Sequence, residues 1–247
     1  KYQPYPEEIN RAIIDNIADF CFAPTERAKR NLLRTGVEEE RIFVTGNTVI
    51  DALVFVSRDL PPSDECSTST GTDSKERRLI LVTGHRRESF GEGFENICHA
   101  IREIVERNED VEVMYPVHLN PNVQEPVTRI LGGVDRVHLT EPLGYLPFVQ
   151  LMRKAYLILT DSGGVQEEAP TFKVPVLVMR NTTERPEGVE AGVARLVGTE
   201  RGAIVAATQL LLDDQAEYRQ MSTGINPYGD GKAAGRIVRV ILDRMGS

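Results

Sequence analysis

The chain has 247 residues, of which 40% are hydrophobic and 27% charged. That is too apolar for a disordered chain and is enough for a core of useful size. Lys and Arg total 29 against 37 Asp and Glu, a formal net charge of −8, which argues against a basic surface for wrapping nucleic acid. No apolar run approaches the roughly 18 residues of a membrane helix, and the opening Lys1–Pro6 stretch has no apolar leader. Cys21, Cys66 and Cys98 are too sparse for a disulfide framework or a cysteine zinc site, and they fit a reducing cytoplasm.

In chain order, Pro6 opens a helix with Glu7 and Glu8 in its first turn and Ile9, Ile13, Ile14 and Ile17 at helical spacing. Phe20–Ala23 reads as a strand, Thr25 as the cap of a helix that Gly36 stops, and Ile42–Val44 as a second strand. The polar stretch from Pro61 to Ser74 reads as a linker. Strands are then expected at 79–82, 111–115, 137–139, 156–160, 174–179 and 193–197. Helices are expected near 93–107, 121–131, 145–155, 162–169, 203–212, 216–222 and 232–244, with a short one near Pro186. Strands separated by helices predict an α/β fold, a parallel sheet with helices on both faces. Ligands in such sheets sit at the carboxyl ends of strands, near a switch point.

Two strand ends carry the chemistry. The first runs into Gly84-His85-Arg86-Arg87-Glu88, a sharp turn that places an imidazole beside two guanidiniums, which suits an anionic ligand. The alternative is a solvated loop. The second runs into Asp161-Ser162-Gly163-Gly164, a glycine turn opening a helix, where backbone N–H groups bind phosphate. Ser162 can cap that helix or donate to a phosphate. Glu168 can reach sugar hydroxyls or simply complement the helix dipole. Arg185 follows a third strand and reaches the same crevice, or forms a surface ion pair with Glu184 or Glu187. His118 sits in a proline-bounded loop after another strand, with structural and ligand-binding roles both open. His99 and His138 read as packing or surface residues. No Walker loop, dinucleotide fingerprint, metal-ligand spacing or nucleophile elbow occurs.

The stretches PYPEEINR, FVTGNTVIDAL, ILVTGHRRESFGEGFENI, YPVHLNPNV, YLPFVQLM, LTDSGGVQEEAP, PVLVMRNTTERPE, AGVARLVGT and NPYGDGKA run nearly end to end. Together they resemble the non-hydrolysing UDP-N-acetylglucosamine 2-epimerases. The resemblance implies a GT-B-like arrangement of two Rossmann-like domains. Residues 1–57 would be the tail of the N-terminal one, 58–74 a linker, and 75–247 the UDP-binding domain with its final helix packing back. The front of the N-terminal domain would be missing. The implied reaction interconverts UDP-GlcNAc and UDP-ManNAc through a 2-acetamidoglucal, supplying surface polysaccharide precursors. It implies no cofactor and no metal, no nucleic acid or membrane partner, and a cytoplasmic homodimer at full length. By the family pattern Glu7 is an acidic active-site residue and His85 assists the leaving diphosphate. Ser162, Gly163 and Gly164 form the diphosphate turn, Glu168 meets the ribose, and Arg185 also touches UDP. Phe148 lies at the uracil. Leu143 falls where some members carry a polar uracil contact, so base recognition there would rest on main chain. Arg86 and His118 resemble positions holding a second, activating UDP-GlcNAc. The competing readings are a GT-B glycosyltransferase or hydrolysing relative, and a UDP-binding module without activity.

Overall fold

A computed structural model describes residues 6–58, 60 and 77–246. Most of the expected linker, with Cys66, lies outside the described residues. The chain divides into two compact units, one of residues 1–55 with 227–247 and one of 56–226.

The second unit is built on six parallel strands: β3 (Arg78–Thr83), β4 (Val111–Pro116), β5 (Val137–Thr140), β6 (Leu157–Thr160), β7 (Val176–Val178) and β8 (Ala194–Leu196). Their order is β5-β4-β3-β6-β7-β8, so the chain winds outward from β3 in one direction and from β6 in the other. That is the doubly wound order, with its switch point between β3 and β6. The register pairs Ile80 with Leu157 and Thr83 with Thr160. The central strands are apolar on both faces because both faces are covered: Ile80, Leu81, Val82, Leu157, Ile158 and Leu159 are all fully buried. The connecting helices are α4 (Glu92–Arg107), α5 (Pro121–Leu131), α6 (Tyr145–Lys154), α7 (Gly163–Glu168), α8 (Pro186–Glu190), α9 (Arg201–Asp213) and α10 (Gln215–Thr223). Phe94, Ile97, Ile101 and Ile104 of α4 pack into the same core as Ile80, Val113 and Leu131.

The first unit holds α1 (Glu7–Ile17), a parallel pair β1 (Cys21–Ala23) and β2 (Ile42–Val44), α2 (Glu26–Arg34), the start of α3 (Thr48–Arg58) and the final helix α11 (Ala233–Met245). Thr25 caps α2 by accepting from the Ala28 N–H at 3.1 Å. Ile13, Ile14 and Ile17 of α1 follow the expected spacing, yet all three are exposed. The segment before α11 docks on residues 45–54. Asn47 donates to the Tyr228 carbonyl at 2.7 Å, and Gly231, at φ +76°, has Val54 where a side chain would stand. Among the described residues no helix is long and apolar enough to cross a membrane.

Candidate active site

The ends of β3 and β6 lie side by side at the switch point, joined by a 2.6 Å contact between the hydroxyls of Thr83 and Thr160. Beyond β6 comes Asp161, which is fully buried. Its Oδ2 accepts from the backbone N–H groups of both His85 and Arg86 at 2.7 Å, and its Oδ1 lies 3.3 Å from His85 Nδ1. The carboxylate therefore folds the loop after β3 against the loop after β6. Gly84 permits that approach: a side chain there would sit 3.1 Å from the Tyr115 hydroxyl and 3.3 Å from the Phe94 ring. Tyr115 in turn donates to the Gly84 carbonyl at 3.2 Å. Burial holds the Tyr115 phenol well above its ordinary pKa, so it is a neutral donor.

The glycine turn sits between two arginines. A Cβ on Gly163 would lie 3.6 Å from Arg86 Nη2 and 4.0 Å from the Arg185 guanidinium. Gly163 is itself buried, so the two guanidiniums close on the turn at van der Waals distance from where a Cβ would stand. Each cation is also held by a carboxylate. Arg185 Nε donates to Glu167, and Arg86 Nη1 lies 3.6 Å from Glu184. Glu184 in turn accepts from the buried Arg180 at 2.6 and 3.1 Å, and Arg180 also bonds Glu88 in the loop after β3. The hydrogen bonds from Arg180 hold the Glu184 carboxyl down at a pKa of about 2. Beside the alternative of an ion pair with Glu184 or Glu187, the structure adds a carboxylate from α7: the one that binds the Arg185 Nε belongs to Glu167. Ser162 stands at the start of α7, but its side chain makes no capping bond there, so its hydroxyl is not committed to the helix.

His118 joins this cluster. Its ring stacks on that of His85, with centroids 5.5 Å apart and planes 18° from parallel. Its Nδ1 accepts from the Asn120 N–H at 3.1 Å, which assigns the ring proton of the neutral form to Nε2. His99 lies in α4, and His138 lies in β5 with its Nε2 3.6 Å from Glu112.

Glu168 ends α7 half-buried, with Oε2 lacking a hydrogen-bond partner. Burial, reinforced by the neighbouring Glu167 charge, raises its pKa to about 7, against a bond from the Tyr145 hydroxyl that lowers it. Tyr145 opens α6, and Phe148 lies three residues on, on the same helical face and half-buried. Leu143 precedes that helix and is exposed. Glu7 is the first residue of α1, in the first unit. The structure thus gathers His85, Arg86, His118, Gly163 and Arg185 around one turn, with Gly164 and Glu168 beside it. Asp161, Arg180 and Tyr145 were not singled out from sequence, and Glu184 only as a partner for Arg185. The signal for Asp161 was its place directly after a buried strand.

The sequence family described as UDP-N-acetylglucosamine 2-epimerase matches residues 1–242. The chain belongs to that family. A probable UDP-N-acetylglucosamine 2-epimerase of Ralstonia nicotianae is 57% identical over 244 residues, 97% of this chain and 65% of that protein. Among solved structures, an S. aureus MnaA–UDP complex superposes at TM-score 0.91 with 45% identity, covering all of this chain and 66% of that one. The UDP-GlcNAc 2-epimerase of Neisseria meningitidis bound to UDP-GlcNAc superposes at 0.90 with 43% identity, over 98% of this chain and 66% of that one. The α/β architecture is therefore the GT-B-like one of these epimerases. This epimerase-family chain spans about 65% of the length of the curated relatives it matches.

Proposed function

We propose that this chain is the nucleotide-binding majority of a non-hydrolysing UDP-GlcNAc 2-epimerase. The observation that carries the reading is the pair of guanidiniums, Arg86 and Arg185, converging on Gly163 beside the His85 imidazole at the switch point. A dianionic diphosphate is the ligand such a cradle fits, through bidentate arginines and turn N–H groups. Ser162, Gly163 and Gly164 take the diphosphate, with Arg185 across it. Glu168 accepts from the ribose hydroxyls, and Phe148 packs on the uracil beside the main chain at Leu143. Arg86 and His118 also flank the place assigned to a second, activating UDP-GlcNAc.

The chemistry follows from what leaves. A carboxylate base takes the C2 proton, and the C2–H electron pair becomes the C1=C2 bond. The C1–O bond breaks, and its pair departs on the β-phosphate oxygen of UDP. His85, oriented by Asp161, stabilises that oxygen by charge or by proton donation. Protonation of the enclosed 2-acetamidoglucal on the other face of C2, with return of the UDP oxygen to C1, gives UDP-ManNAc. Glu7 is assigned to the proton shuttle. No step calls for a metal or a redox cofactor. The full-length protein is read as a cytoplasmic homodimer serving polysaccharide precursor synthesis.

The test has two stages. UDP titrated into this chain should bind and release heat, and Arg185→Ala should weaken it about thirty-fold. The full-length enzyme in D2O should convert UDP-GlcNAc to UDP-ManNAc carrying deuterium at C2. Glu7→Gln and His85→Ala should each remove most turnover. Free sugar or a glycoside as product would instead support the hydrolase or transferase reading.

A further inference from the structure

Gln166 is 1% exposed, and both ends of its amide are bonded. Its Nε2 donates to the Ser162 carbonyl at 3.0 Å, and its Oε1 accepts from the Thr183 hydroxyl at 2.7 Å. The same Thr183 oxygen accepts from the Arg185 backbone N–H at 3.0 Å. These three bonds form one unbroken chain from the glycine turn after β6 to the loop after β7. Beside it, the Arg185 side chain is tied to Glu167, the residue after Gln166, and the Glu167 carbonyl accepts from Asn226 at 2.8 Å. Arg185 is thus referenced to α7 twice, once through its backbone and once through its Nε.

The loop between β7 and α8 has no ladder of its own to fix it. Beside the Arg180 bonds to Glu88 and Glu184, Thr183 ties this loop to α7, because a hydroxyl donates and accepts at once. Valine has the same shape and does neither; serine does both. Gln166 is the complementary part, since an amide donates at one end and accepts at the other. A carboxylate in its place would present an acceptor to the Ser162 carbonyl.

We infer that Gln166 and Thr183 are positioning residues of the anion site, setting where Arg185 stands over Gly163. The inference rests on the reading of that turn as the diphosphate cradle, and its effect on ligand is exerted through Arg185 alone.

The experiment uses the whole chain in five forms: parent, Thr183→Val, Thr183→Ser, Arg185→Ala and the Thr183→Val/Arg185→Ala double variant. Two readouts are taken, calorimetric titration of UDP and the ¹⁵N spectrum of arginine Nε–H groups. Thr183→Val should weaken UDP about ten-fold, the scale of one hydrogen bond's positioning value. Thr183→Ser should stay within about two-fold of the parent. In the Arg185→Ala background, Thr183→Val should change nothing further. The Arg185 Nε–H signal, identified by its absence in Arg185→Ala, should move or broaden in Thr183→Val and hold its place in Thr183→Ser. A parent that takes no UDP while this signal still answers to Thr183 defeats the nucleotide reading and leaves the relay standing. An Arg185 signal indifferent to Thr183→Val overturns the relay, as does an equal UDP loss with and without Arg185.

Discussion

Asp161 meets His85 at two points: its Oδ2 takes the His85 N–H together with the Arg86 N–H, and its Oδ1 faces the His85 ring at 3.3 Å. A fully buried carboxylate survives only when hydrogen-bonded, and here the donors are backbone N–H groups of the loop after β3. Asp161→Ala removes the acceptor and strands two N–H groups. The expected cost is about 3 kcal/mol, a drop of roughly 10 °C in melting temperature for a unit of this size. Differential scanning calorimetry measures it, and an unchanged melting temperature would contradict the account. Asp161→Asn should recover most of the stability, because its amide oxygen can take both N–H groups as Oδ2 does, while its NH2 replaces the oxygen facing the His85 ring.

If Glu168 meets the ribose as proposed, its raised pKa should give UDP binding a pH dependence of defined sign. Empty, the carboxyl titrates at about 7, mainly because it is buried. Ribose hydroxyls donating to it would favour the ionised form, so binding releases a proton and tightens as pH rises from 6 to 8, by about ten-fold. The phosphate of UDP itself titrates near 6, so the informative quantity is the difference between parent and Glu168→Gln, which lacks the carboxyl term. For stability the sign is opposite. The folded state holds a proton that the unfolded chain loses near 4.5, so stability falls as pH rises through 4.5 to 7. Glu168→Gln should flatten that fall. Parallel pH profiles for the two proteins would exclude Glu168 from the site.

Much of this arrangement was readable from residue order, and the failures have physical causes. The strands β3 and β6 were legible because an unbroken apolar run ending in glycine or a short polar residue has few alternatives in a doubly wound sheet. The helix α3 was not read. Its sequence TVIDALVFVSR is rich in β-branched residues, whose helix propensity is low, and docking of its buried Ile50 and Leu53 decides the outcome. The bond from Arg185 to Glu167 was not anticipated because only sequence neighbours were weighed as partners, while Glu167 arrives from the loop end of a different strand. Asp161 went unnoticed for the same reason: its partners are backbone groups 76 and 75 residues upstream. Side-chain identity marks a strand end as functional, but which loops face one another is a property of strand order.

Arg180 anchors the loop carrying Glu184 and Arg185. Its side chain is 5% exposed and bonds both Glu88 and Glu184. The carboxyl of Glu184 is held at about 2, below its usual value near 4.5, chiefly by that bond. A depressed carboxyl stabilises the fold above its unfolded pKa, and the contribution is lost as pH falls from 4.5 through 2. Glu184→Gln should therefore show a shallower acid transition in that window than the parent, followed by circular dichroism. Because Glu184 is half exposed, the difference in melting temperature at pH 7 should be small, about 2 °C. An identical acid limb in the two proteins would remove Glu184 from the network.

Asp51 does for the last helix what a capping side chain does within one segment. Its carboxylate accepts from the N–H groups of Ala233 and Ala234 at 3.0 and 2.8 Å, so the open start of α11 is closed from α3. A negative charge there also meets the positive end of the helix dipole. Arg236 reinforces the joint by donating to the Thr45 carbonyl at 3.0 Å and pairing with Asp230, whose carboxyl it holds at about 2. Asp51→Ala should destabilise α11 by about 1–2 kcal/mol, the range for loss of a cap. The effect is local, so amide hydrogen exchange is the sensitive measurement. Protection at Ala233 and Ala234 should fall roughly ten-fold while that at Leu159 in β6 stays as it was. Equal loss at both places would mean that Asp51 supports the chain as a whole; no loss at Ala233 would mean that the cap is made by water.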